Sequence, residues 1–164
     1  MAVAESQEVA SLVPFLRTCP IVNLVPKLRS LLAGPDLPTD EDHASNQARN
    51  IQFELWLGAT LWRVGVQVEL AQPDLRCTIG EHIFLFACKR LFSVKRLTRR
   101  INEATDQLHR SLAHLPQGKS WGFIAISLSR VLSKTNRSEA IANPTEGLEQ
   151  LASRIEALAQ RRAK

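Results

Sequence analysis

The segment from Ile83 to Cys88 is nearly all apolar, and it is bounded by Gly80-Glu81 on one side and Lys89-Arg90 on the other. A run this short and this apolar has the pattern of a strand covered on both faces. Such a strand needs a layer on each side, which commits the neighbouring sequence to an α/β arrangement. The flanking segments agree. Val66, Val68 and Leu70 alternate with Gln67 and Glu69, the pattern of a half-buried strand. Leu75 to Ile79 reads as a second strand, with Gly80-Glu81 as a tight turn into the third, and Trp121 to Leu128 reads as a fourth. A helix is expected from about Asp40 to Arg63, ended by Gly65. Another is expected from a Ser93 cap to about His114, broken by Pro116-Gln-Gly118. The order helix, three strands, helix, strand, helix predicts a mixed central sheet of about four strands flanked by helices.

The ends of the chain read as helical additions to this core. Residues 1–36 are expected to form an N-terminal helical cap or extension of two short segments, punctuated by Pro14 and Pro20. In the second segment Ile21, Leu24, Leu28, Leu31 and Leu32 recur at helical spacing. A polar stretch, Gly34 to Asp42, is placed as a hinge. Residues 37–164 then form the main domain. They close on a C-terminal helix opened by Asn143-Pro144-Thr145-Glu146, whose apolar stripe is Leu148, Leu151, Ile155 and Leu158. That stripe either packs on its own domain or takes a protein partner, a second copy included.

With 164 residues, 45% of them hydrophobic, the chain can bury a substantial single core. No apolar run approaches a membrane span, so no membrane partner is expected. Glu5 and Glu8 stand where a secretory leader carries basic residues. The three cysteines, Cys19, Cys77 and Cys88, lack the spacing of a zinc or disulfide framework. A reducing, cytoplasmic setting is the expectation.

The net charge is +5, which favours polyanionic partners. Six of the basic residues, Lys89, Arg90, Lys95, Arg96, Arg99 and Arg100, fall in twelve positions without an intervening acid. On a helix, Arg96, Arg100 and Gln107 fall within about 20–40° of one another. Alone, that row is a solvated charged face. Against it stand two carboxylates in unusual settings. Glu54 has Ile51, Leu57, Gly58 and Leu61 as its helical neighbours, so it needs a partner, a metal or a proton. Asp74 follows Pro73 at the start of a strand.

The ordered set Glu54, Pro73-Asp74, Phe86-Ala87-Cys88-Lys89-Arg90 and Gln107 resembles the PD-(D/E)xK nuclease superfamily, over about residues 45–132. In that family a helical Glu precedes a Pro-Asp on one strand, an acid-x-Lys on the next, and often a Gln in the following helix. The resemblance implies Asp74 as a metal ligand and Lys89 as the catalytic lysine. It implies Glu54 as a ligand or a group behind the ligands, Gln107 as a polar contact at the site's edge, and Mg²⁺ or Mn²⁺ as cofactor. Such an ion lowers the pKa of a bound water and polarises the phosphate, while the lysine stabilises developing charge. Beside these residues the basic row reads as phosphate contact by Arg90, Arg96 and Arg100. DNA is the expected substrate.

One position departs from the pattern. Ala87 stands where the family has its second acid, and alanine offers no ligand atom. The small side chain on an apolar strand points to a residue facing a polar site. Two functions follow from the departure: a metal-dependent deoxyribonuclease that is weakened or inactive, or a catalytically dead module of the same fold that binds nucleic acid or protein. A third reading is an interaction protein in which the match is accidental.

Overall fold

The computed structural model describes residues 12–18, 24–33, 46–91 and 93–129. The expected C-terminal helix, the proposed hinge and Cys19 lie outside them. The sheet holds four strands: β1 (Gln67–Leu70), β2 (Leu75–Ile79), β3 (His82–Arg90) and β4 (Ser120–Ser127), in spatial order β1-β2-β3-β4. The first three strands pair antiparallel, and β4 runs parallel to β3. The sheet is therefore mixed, as the segment order predicts. The parallel pair exists because a helix intervenes between its strands, whereas Gly80 at φ +60° turns β2 directly into β3.

Four helices are described: α1 (12–18), α2 (Leu24–Leu32), α3 (Asn46–Arg63) and α4 (Leu97–Leu112). Pro14 lies within α1 and does not break it. Helix α3 ends where the sequence predicts: Gly65, at φ +87°, donates its N–H to the Trp62 carbonyl at 2.9 Å. The start of α4 differs from expectation. Ser93 does not cap it; a 3₁₀ turn at Val94–Arg96 intervenes, in which the Arg96 N–H donates to the Ser93 carbonyl at 3.1 Å. Arg96 takes the N-cap position, with no side-chain hydrogen bond capping the helix.

Strand β3 is the spine of the molecule. Its alternation divides the core in two. Cys88 joins Leu55, Ala59, Leu75 and Cys77 in a cluster built with α3, and Leu85 and Ala87 join Ala104 and Leu108 of α4 in another. The N-terminal helices belong to the first cluster. Leu12 and Phe15 are fully buried in it, and Leu28 and Leu31 pack against it. Leu32, expected on the same stripe, is instead 83% exposed at the end of α2. Trp62 stacks at a tilt on Phe15, as a core aromatic should, while Trp56 lies at the surface beside Phe53. No described helix is long and apolar enough to cross a membrane.

Candidate active site

Parallel strands leave a crevice at their carboxyl ends, where ligands of open α/β sheets commonly bind. Here that end of β3 carries Cys88, Lys89 and Arg90, and the chain entering β2 runs alongside it. The β2–β3 register ends at Leu75 opposite Phe86. Asp74, one residue earlier, continues the pairing with its side chain: the Cys88 N–H donates to Asp74 Oδ2 at 2.6 Å. A charged acceptor thus completes a ladder the backbone no longer supplies, which fixes the carboxylate against the sheet end.

Lys89 is held from two sides. Its Nζ lies 3.7 Å from Asp74 Oδ2 and donates to Gln107 Oε1, on α4, at 2.7 Å. Gln107 owes its position to the same α4 face that buries Ala104 and Leu108, one helical turn apart from each other. Across the crevice, Glu54 hangs from α3, buried among the apolar neighbours its sequence position indicates, at 6% exposure. Its partner is Lys27 of α2, which donates to Glu54 Oε1.

Asp74, Lys89, Glu54 and Lys27 line one cleft of about 380 Å³, together with Asn50, Gln72, Arg90 and Arg100. Burial raises the pKa of Asp74 above the ordinary carboxylate range, against the opposing pull of Lys89 and the Cys88 N–H. Burial raises Glu54 as well; Lys27 opposes the shift and the negative charge of Asp74 adds to it. Two desolvated carboxylates that feel each other, each beside a lysine, form an arrangement that clusters at functional sites. The cleft's cysteine is inert by comparison. Burial, with the nearby Asp74 and Glu54 charges, pushes the Cys88 thiol far up, so it is not a thiolate nucleophile at neutral pH.

The residues singled out in the sequence are thus distributed unevenly. Asp74, Lys89, Glu54, Arg90 and Arg100 share the cleft, and Gln107 reaches its edge through Lys89. Arg100 also bonds Glu103 at 2.9 Å, and Arg99 contacts the same carboxylate at 3.3 Å. Arg96 does not line the cleft; it ends the 3₁₀ turn, at the position before the first residue of α4. Ala87 does not line it either. Its side chain is completely buried in the cluster of Leu85, Ala104 and Leu108, so its small size answers to α4 packing on β3 and not to a polar site. Lys27 is the residue that sequence reasoning missed. Its one trace is indirect: Glu54, on an apolar stripe, has to find a partner.

Among the described residues no group of three or more His, Cys, Asp or Glu side chains can hold a metal. The donor set is two carboxylates, Asp74 and Glu54. Magnesium commonly takes one or two protein carboxylates and completes its octahedron with water and substrate phosphate. The pair fits that limited share. Comparison of the chain with protein-family models, with curated proteins and with solved structures finds no match.

Proposed function

We propose that this chain is a PD-(D/E)xK-like domain that binds DNA with a phosphodiester at the Asp74–Lys89 corner and hydrolyses it slowly with Mg²⁺ or Mn²⁺. The observation that carries the reading is the composition of the cleft: a buried carboxylate, Glu54, and a half-buried one, Asp74, set among Lys27, Lys89, Arg90 and Arg100. A site built only to hold phosphate has no use for carboxylates, which repel it; a divalent cation between them reconciles the two. Asp74 and Glu54 would hold that ion, which supplies an activated water and charge neutralisation at the phosphate when bound.

The remaining steps belong to the chain's own side chains. Lys89, fixed between Asp74 and Gln107, presents a cation whose freedom is already spent, so it offsets charge developing on the phosphate without reorganising. Arg90 and Arg100 meet neighbouring phosphates and set the register of the duplex. The rate is low because, among the described residues, the cleft offers the ion two carboxylates, Asp74 and Glu54. One observation favours a module that binds without cleaving: Ala87 lies in an apolar cluster, where the fold has no room for a third ligand.

Plasmid nicking in Mn²⁺ and fluorescence anisotropy on a short duplex across a salt series test both readings. Wild type is expected to nick slowly and to bind with a steep salt dependence. Lys89→Ala should lower nicking by about 100-fold, the scale of losing a preorganised charge-stabilising donor. Arg100→Ala should reduce the log–log salt slope by about 0.9, one phosphate contact. Salt-dependent binding with no nicking selects the binding module. Binding that ignores both salt and Arg100 overturns the assignment to nucleic acid.

A further inference from the structure

We propose that Lys27 and a divalent cation compete for Glu54, so that helix α2 is a cap whose lysine stands in for the ion and must leave before the ion binds. The inference rests on the reading of Asp74 and Glu54 as the ligand pair and adds to it a residue from outside the nuclease-like motif set. Three observations carry it. Lys27 donates to Glu54 Oε1, an oxygen the ion would need. Lys27, Pro26 and Ser30 of α2 line the same cleft as Asp74 and Lys89. Glu54 is almost wholly buried, its side chain 8% exposed, so its charge requires a neighbouring cation whether or not metal is present.

The two lysines of the cleft are not equivalent. Lys89 is held by Gln107 at 2.7 Å and lies 3.7 Å from Asp74, a long ion pair. An ion bound to Asp74 leaves its main hydrogen bond untouched. Lys27 bonds directly to a ligand oxygen, and its ammonium cannot share that oxygen's surroundings with a divalent charge. Helix α2 is also the element best suited to yield. It is nine residues long, and it rests on the core through Leu28 and Leu31, both only partly buried, while Val25 and Leu32 are exposed. Elements with few buried apolar contacts open at the least cost. Competition through Lys27 therefore couples metal binding to the seating of α2, and the coupling runs in both directions.

The test is isothermal titration with MnCl₂ at one pH on the full chain: wild type, Lys27→Met, Lys27→Gln and Asp74→Asn. Lys27→Met removes the charge at similar length, and Lys27→Gln keeps a donor to Glu54 should the Met variant fold poorly. Each folded Lys27 variant is expected to bind Mn²⁺ about tenfold tighter than wild type, and Asp74→Asn to lose binding. Hydrogen exchange on wild type supplies a readout that a purely structural lysine would not move. Added Mn²⁺ should speed exchange across Leu24–Leu32 and leave α3 and the sheet as protected as before. Equal or weaker Mn²⁺ affinity in both Lys27 variants, with Asp74→Asn still losing binding, overturns the competition and leaves the ligand pair standing. Slower α2 exchange with Mn²⁺ has the same meaning. Absence of Mn²⁺ binding in every variant overturns both the competition and the ligand pair.

Discussion

Position 87 shows how a motif position and a packing position can part company. Alternation places Ala87 and Lys89 on one face of β3, yet Lys89 emerges at the cleft and Ala87 is sealed beneath Ala104 and Leu108. Restoring an acid at 87 is the change that the family pattern suggests for recovering activity. The burial predicts a different first effect. Ala87→Glu should lower unfolding stability by at least about 3 kcal/mol, the scale of an uncompensated buried charge, as measured by urea titration. A variant of unchanged stability and gained Mn²⁺ affinity would show instead that the glutamate reaches the cleft. The cleft carboxylates escape this penalty because each has a cation: Lys27 beside Glu54 and Lys89 beside Asp74.

Among the elements, α4 has two tasks. Its inner face closes the sheet, and its edge presents Gln107 to Lys89. Closeness of approach connects them. A Cβ at Gly122 of β4 would meet Leu108 Cδ2 and Leu112 Cδ1 at 3.1 Å each, so glycine is what lets α4 lie at its observed depth on the parallel pair. Gly122→Ala should cost about 1–3 kcal/mol through overpacking. It should also push α4 outward and weaken the Gln107 contact, visible as a shift of the Gln107 side-chain amide resonances. An unchanged melting temperature with unshifted amides would mean that the leucines yield freely. Strand β2 is placed by a different device, the Asp74 carboxylate on the Cys88 N–H.

For the whole molecule, helix α1 is structural before it is anything else. Phe15 is completely buried, and its ring stands 3.2 Å from where a Cβ at Gly58 would be, which seats α1 on α3. Phe15→Ala should destabilise the whole protein by about 3–5 kcal/mol in a single cooperative unfolding transition. A separate early transition, with the sheet retaining its stability, would make α1 an independent cap. Leu28 and Leu31 of α2 pack against the same core and Lys27 of α2 meets Glu54 of α3, so the contents of the cleft depend on a segment that the nuclease-like pattern does not include.

The sequence by itself determined the identity and order of the central elements, the mixed sheet and the end of α3. Those are set by periodicity and turn chemistry within a few residues: alternation at Val66–Leu70, the apolar run of β3, Gly65 and Gly80. It also placed Asp74, Lys89, Glu54 and Gln107 on elements that could meet. The tertiary structure alone decided which residues do meet. Lys27 reaches Glu54 across 27 positions, and no local pattern encodes a partner so distant. The 3₁₀ turn that stands in place of a Ser93 cap depends on how the chain leaves β3 to start α4. The burial of Ala87 depends on the depth of α4, which a glycine in another strand sets. Local order follows from neighbours in the chain, whereas the site is made where distant segments pack, and there volume and charge compensation choose the partners.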